Sequence, residues 1–301
     1  MCCQTSAPTI LSVARRWLPA IALAAAAACG GSGSVSDSDE RELGAYQAEY
    51  IDSVAPLISD SIVTGYVAAL TRSMASRTSG ADLDWRVKVV NTSLVNAMAL
   101  PGGFLYVTRS LIEQSDSLDE LAGVMAHEIG HVVRRHSVKQ MHEKKKQDVA
   151  LLMLCTLTSA CNTVGRAIVV QVGADAATAQ YSQQDESQAD SMAVVITSQA
   201  GIDPDGLPVF LQKMLEQRSE QPTPLDAFFA SHPTDERRIS ALRRQIAALG
   251  ELAGRRLTRD APEFHSVQER LRALPPPPPL PKEYTAAGGE TRLRTDEPQE
   301  E

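Results

Sequence analysis

The chain is 301 residues long and 43% hydrophobic, with a formal net charge of −8. That suits one domain with tails, or two small ones, and leaves enough apolar sequence to bury a sizeable core. An acidic chain without a basic patch argues against nucleic acid as a partner.

Arg15 and Arg16 precede an apolar stretch from Trp17 to Ala28. It is too short for a comfortable membrane span, and residues 1–28 read as a signal peptide. Its removal takes the charge from −8 to −10, since two arginines and no acid are lost. Ala26-Ala27-Ala28-Cys29 resembles a bacterial lipobox, in which Cys29 becomes the lipidated N-terminus. Ala26 stands where Leu is usual, and secretion with simple cleavage nearby reads the same residues. Gly30 after the Cys favours a lipid anchor in the outer membrane, facing the periplasm. The Gly/Ser/Asp-rich stretch that follows makes residues 29–40 a flexible tether.

Two helices are expected next. Tyr46, Tyr50 and Val54 share a face of the first, and Ile62, Tyr66, Leu70 and Met74 follow helical spacing in the second. Asp84 to Asn91 alternates at period two through Trp85, Val87 and Val89 and predicts a strand. Val95 to Leu100 and Phe104 to Val107 predict two more, about the turn Pro101-Gly102-Gly103.

Leu121 to His136 reads LAGVMAHEIGHVVRRH, with Ser117 and Glu120 as a capping box before its apolar run. His127 and His131 are four apart, so a helix presents both imidazoles to one point. Two neutral imidazoles suit Zn²⁺, and Glu128 beside the first can take the proton of an attacking water. A surface helix with two solvated histidines carries the same letters. A zinc protease also needs a third protein ligand. The HExxHxxGxxH arrangement does not supply it, because Val133 and Arg134 follow where its Gly lies and His136 comes one residue early. Tyr181 to Val195 offers an acidic alternative. Glu186 and Asp190 fall on one helical face, Glu186 as ligand and Asp190 orienting a ligand or its helix. An ordinary charged face has the same spacing.

Between these stretches, Lys144 to Lys146 read as a solvated helix end. Val149 to Val172 is apolar but broken by Asn162, Gly165 and Arg166, and reads as one or two helices on the core or over the cleft. Once Cys2 and Cys3 leave with the signal and Cys29 is lipidated, Cys155 and Cys161 remain, as buried thiols or a disulfide. Gly201 is a natural C-cap, and Pro204 to Arg218 forms an amphipathic helix through Leu207, Phe210, Leu211 and Met214. His232 sits in a loop opening the helix of Arg237 and Arg238. Pro262 to Leu274 predicts a last helix with Phe264, Val267 and Leu271 on one face. Pro275 to Pro281 is a polyproline spacer, and the acidic tail runs on to Glu301.

Taken together these residues resemble the HtpX/BepA-like zinc metallopeptidase family, gluzincins related to the CAAX prenyl endoproteases. The likeness rests on His127-Glu128-Ile129-Gly130-His131, on Asn96-Ala97 with Pro101-Gly102-Gly103, and on Glu120-Leu121-Ala122 and Arg135-His136. It continues through Glu186-Ser187-Gln188-Ala189-Asp190 and through Ser231-His232-Pro233 before Glu236-Arg237-Arg238, covering roughly residues 40–245.

The resemblance implies a mostly α fold with a small β-sheet (α+β) and zinc-dependent endopeptidase activity on polypeptides. One Zn²⁺ would be held by His127, His131 and Glu186, with Glu128 as general base. It implies that the strand at Asn96 and Ala97 borders the cleft, where an extended peptide can pair with a strand edge; a plain core hairpin fits the same residues. It places His232 near the active site, as a transition-state donor, as a fourth ligand that silences the enzyme, or as a mere helix-entry residue. The expected layout is a peptidase domain over 41–250, a helical extension over 251–274 and a tail over 275–301. Misfolded or stalled envelope proteins are the expected substrates. A chaperone-like lipoprotein with a silenced zinc site and a prenyl-protein-type membrane protease are the rival readings.

Overall fold

The computed structural model describes residues 36–140, 181–218, 223–250 and 256–279. The expected signal peptide, Cys29, Lys144 to Lys146, Val149 to Val172 with Cys155 and Cys161, and the tail after residue 279 lie outside them. The elements run α1 Asp37–Val54, α2 Ser61–Ala75, β1 Arg86–Val90, β2 Ala97–Leu100 and β3 Phe104–Thr108. They continue with α3 Arg109–Gln114, α4 Leu118–Val133, α5 Gln183–Gln199, α6 Gly206–Glu216, α7 Asp226–Ser231, α8 Glu236–Ala248 and α9 Pro262–Ala273. The fold is mostly helical with one small sheet. No described helix is long and apolar enough to cross a membrane.

The centre is α4. Every residue from Leu118 to Val132 is buried, because this helix packs at once against β2, α2, α5 and α6. Leu121, Met125 and Ile129 are fully covered there. Truncating one of them to Ala would cost about 2–5 kcal/mol. The helix starts where its sequence predicts, but the capping box does not close. Ser117 Oγ turns to Asp119, while Glu120 Oε2 accepts from the Asp116 N–H at 2.9 Å and from Lys213 Nζ at 2.5 Å. A lysine on α6 competes for the carboxylate that a local box would use.

The sheet has the order β1-β3-β2. β1 runs parallel to β3, and β2 pairs antiparallel with β3, Ala97 opposite Val107 and Ala99 opposite Leu105. β2 is therefore an edge strand. Its alternation divides two cores. Ala97 and Ala99 join the main core that contains α4, whereas Met98 and Leu100 join a smaller cluster with Phe104, Tyr106 and Ala48 of α1.

α1 presents a different face from the one its aromatic spacing predicts, and α2 is turned only in part, since Met74 is buried and Tyr66 and Leu70 pack on the core. In α1, Tyr46 and Tyr50 are 71% and 62% exposed. Gly44 and Ala48 face inward instead: a Cβ on Gly44 would stand 1.7 Å from the Pro101 carbonyl oxygen, so only glycine allows this approach. Close backbone contact with the hairpin turn outweighs burial of two tyrosines. In α2 the buried line is Val63, Val67, Thr71 and Met74, and Ile62 is exposed. α1 also begins at Asp37, inside the stretch expected as tether. The last helix forms where predicted, with Phe264, Val267 and Leu271 buried.

Candidate metal centre

α4 and α5 meet at Gly130, where an added Cβ would stand 3.0 Å from Met192 Cβ and 3.1 Å from the Ala189 carbonyl oxygen. That close crossing sets α5 beside the HExxH face. Ser182 caps α5 by accepting from the Asp185 N–H, and the first turns then carry Glu186 and Asp190 inward. His127, His131, Glu186 and His232 each offer a ligand atom, and these four atoms lie within 4.8 Å of one another, all in buried residues. The four residues expected near a metal are thus brought together from α4, α5 and the end of α7. His232 closes α7 as its C-cap residue, and the entry to α8 is made by Asp235, whose side chain accepts from the Arg238 N–H.

The protons show what the cluster suits. His127 Nδ1 is 3.0 Å from Asp190 Oδ1, so it donates there and leaves the Nε2 lone pair facing the centre. His136 Nε2 is 3.1 Å from Gln188 Oε1 and 3.7 Å from Asp185 Oδ1, two acceptors that fix its proton on Nε2. Its Nδ1 is then an acceptor for His131 Nδ1–H at 2.9 Å, and His131 Nε2 is a second lone pair. The two Nε2 atoms lie 2.9 Å apart. Facing lone pairs repel unless a cation or proton stands near them, and a tetrahedral zinc sets its nitrogens about 3.3 Å apart. Glu186 Oε1 lies 3.3 Å from His131 Nε2, and Oε2 lies 3.5 Å from His127 Nε2. The buried Glu186 Oε2 and Glu128 Oε1 receive no well-directed hydrogen bond. Close ionic neighbours, Arg238 Nη1 at 2.6 Å and His232 Nε2 at 3.1 Å, stand off the bonding direction. Two imidazole nitrogens, a carboxylate and underused buried oxygens form a donor set that fits a divalent metal.

Burial opposes charge on every group here. It holds His131 down to about 4, so that imidazole is neutral near pH 7. Burial also pushes on His232, but Glu128 and Glu186 outweigh it and raise the ring to about 9, so that both nitrogens carry protons near pH 7 until a cation at Nδ1 displaces one. Against burial, Glu186 and Asp190 raise His127, so that a proton takes the place at its Nε2 that a cation would fill. His127 and His131 in turn hold Glu186 low, and Arg238 holds Asp190 low. The carboxylates are ionised.

Glu128 is positioned by the sheet, its Oε2 accepting from the Ala99 N–H at 3.0 Å. Asn96 and Ala97 are outside the donor set; Ala97 opens the same strand and Asn96 precedes it. Asn96 N–H donates to Thr108 Oγ1, and Asn96 Oδ1 accepts from the Ala97 N–H.

Three residues escaped the sequence reading as contributors. Arg238 forks onto Asp190 with two contacts of 2.8 Å and reaches Glu186. Tyr181 stacks on His131, centroids 3.9 Å apart, with its hydroxyl 2.9 Å from Ser137 Oγ. His136, one residue early for a ligand, turns back onto His131 because Arg135 adopts a left-handed conformation, φ 57°. Arg238 and His136 stand in the stretches that carry the family resemblance, but nothing local tells which partner they reach.

Comparison with known proteins accords with this geometry. A sequence profile described as peptidase family M48 matches residues 61–246. The beta-barrel assembly-enhancing protease of Escherichia coli (strain K12) is 30% identical over 212 residues, which are 68% of this chain and 43% of that protein. The mitochondrial metalloendopeptidase OMA1 of Schizosaccharomyces pombe is 27% identical, over 64% of this chain and 55% of its own. The metalloprotease YcaL of Escherichia coli (strain K12) is 25% identical, over 60% and 69%. The chain spans less than half the length of the first of these relatives.

Proposed function

The chain belongs to peptidase family M48, and from that premise we propose that it is a zinc-dependent endopeptidase acting on polypeptides in the bacterial envelope. The observation that carries this reading is the buried His127–His131–Glu186 donor set with Glu128 held beside it by the edge strand. His127, His131 and Glu186 would hold the metal, Asp190 and His136 keeping the two imidazoles in the donor tautomer. Zinc, when bound, supplies a Lewis acid that polarises the scissile carbonyl and acidifies water. Glu128 takes the proton of the attacking water and delivers it to the leaving amine. The Ala99 N–H keeps that carboxylate aimed, and His232 beside it, against burial, holds it ionised. The outward N–H groups of β2 are taken by Asn96 and Glu128, so its outward carbonyls are the groups that align an extended substrate, by accepting main-chain hydrogen bonds.

His232 supports a second element of the reading, a latch. Its Nδ1 lies 3.3 Å from His127 Nε2 and 3.2 Å from Glu186 Oε1, inside the donor set, while its Nε2 faces Glu128. A catalytic zinc site keeps one position open, and His232 stands where that opening would be. An intact base at Glu128 argues for a latched enzyme over a chaperone with a structural metal, which needs no base there.

The envelope location rests on the resemblance to a lipobox at Cys29 and on the likeness to a beta-barrel assembly-enhancing protease. We take residues 1–28 as the signal, a lipid on Cys29 as the outer-membrane anchor, and misfolded or stalled envelope proteins as substrates. The test is digestion of casein by the purified chain lacking its first 29 residues, with zinc and with a chelator. Cleavage that a chelator stops and added zinc restores is the expected result. Cleavage indifferent to the chelator would overturn it.

A further inference from the structure

Beside the edge strand lies an apolar pocket of about 410 Å³. Ile51 of α1, Asn96, Met98 and Tyr106 line it together with Pro278 and Pro279, and no charged residue does. The two prolines belong to the run after α9, beyond the stretch that matches the peptidase family. A polyproline segment has no internal hydrogen bonds, so its place depends on anchors outside it. Arg109, 4% exposed, donates from Nη2 to the Leu271 carbonyl and from Nη1 to the Pro275 carbonyl, each at 2.6 Å. Gln268 Nε2 donates to the carbonyls of Ile112 and Ser115 at 2.8 and 2.7 Å. These bonds tie α9 and the start of the proline run to α3, and the stiffness of a proline run carries that placement on to Pro278 and Pro279.

The pocket is continuous with the strand edge. The Thr108 N–H donates to the Asn96 carbonyl, and antiparallel alternation then turns Asn96, Met98 and Leu100 toward β3 and the backbone of Ala97 and Ala99 outward. The bond from Ala99 N–H to Glu128 confirms that direction. In a polypeptide added along this edge, the residue opposite Met98 projects to the same face as Met98. That is the face on which the pocket lies. Met98 is one step, about 3.4 Å, from the residue that holds Glu128.

We propose that this pocket is a specificity subsite that takes a large apolar side chain of the bound polypeptide, with the Pro278–Pro279 strap as its chain-specific wall. The proposal rests on the peptidase reading, since it requires a substrate strand on β2. An uncharged lining that is mostly apolar, with Asn91, Thr92, Asn96 and Thr108 as its polar members, selects an apolar occupant, and a stiff wall makes it a preference for shape.

The test uses the full chain carrying Glu128→Gln, zinc-loaded, and two fluorescein-labelled decapeptides of Gly, Ser and Thr that differ only in a central Phe or Ala. The Phe peptide is expected to bind at least about tenfold more tightly, the scale of burying one large apolar side chain. Adding Ala55→Trp, which fills the pocket from its α1 end, should abolish that difference. Equal affinities, or a preference that survives Ala55→Trp, would overturn the proposal. So would a chain ending at Pro279 that gains affinity for both peptides alike, because the remaining tail would then be the occupant. Digestion of casein by the unsubstituted chain reads the peptidase activity separately: a Phe preference without cleavage would retain the pocket and remove the enzyme.

Discussion

The Nδ1 atoms of His131 and His136 lie 2.9 Å apart in the interior, five residues apart in sequence. One proton serves both, and Gln188 and Asp185 on the far side of His136 decide that His131 is its donor. His136 thereby keeps the Nε2 lone pair of His131 aimed at the donor set. Replacing it with Leu should weaken zinc binding by about ten- to a hundredfold, the usual scale for an orienting partner of a metal ligand. His136→Asn, which retains an acceptor, should recover part of that loss. Competition against a chelating dye measures both, and an unchanged affinity in His136→Leu would show that the relay does not set the tautomer.

Glu186 and Glu128 should separate binding from chemistry. Glu186→Gln removes the anionic donor and should leave less than full zinc after dialysis, measured as metal per chain. Full occupancy in that variant would move the third ligand elsewhere, with Asp190 next in reach. Glu128→Gln should keep zinc and fold but cut casein cleavage by at least about a hundredfold. Cleavage at the unsubstituted rate would remove Glu128 as the base.

Much of this centre was legible because its spacing is local. His127 and His131 must share a helix face wherever the helix lies, and Glu186 and Asp190 likewise. The helix–strand order followed from periodicity, and the three strands formed within two residues of their predicted ends. What sequence could not supply was contact between distant elements. Nothing around Arg238 says that it will clamp Asp190 from another helix. The inward face of α1 was misread because its packing turns on Gly44 against a backbone carbonyl, a contact that hydrophobic spacing does not register. In sequence the strap reads as a spacer because its anchor, Arg109, lies more than 150 residues upstream.

Asp60 predicts a pH dependence away from the metal. Its carboxylate accepts Arg270 Nε on both oxygens at 2.8 Å and caps α2 through the N–H groups of Val63 and Ile62. The Arg270 hydrogen bond first, then those of Val63 and Ile62, hold its pKa down to about 2. A depressed carboxylate stabilises the fold fully above its unfolded value, about 3.9, and loses that contribution as pH falls toward the folded value. Asp60→Asn can still cap but carries no charge. It should lower Tm at pH 7 and pH 5 alike, and the gap to the unsubstituted chain should close between about pH 4 and pH 2. A gap that widened on acidification would contradict the ion pair as its source.

His232 gives the sharpest choice, because its two roles change turnover in opposite directions. Its Nδ1 sits among His127 Nε2 and Glu186 Oε1, and its Nε2 stands 3.1 Å from Glu128 Oε1. Placed so, it would compete for the open position of a bound metal and crowd the base at the same time. Removing it should free both. His232→Ala is expected to raise basal casein turnover, by about tenfold if the latch is closed most of the time, while zinc content holds because three ligands remain. A donor that stabilised only the transition state would act the other way, and its loss would cut kcat by roughly ten- to a thousandfold at unchanged zinc. Slower turnover would therefore replace the latch with that donor. Unchanged turnover would leave His232 as the residue that ends α7 and no more.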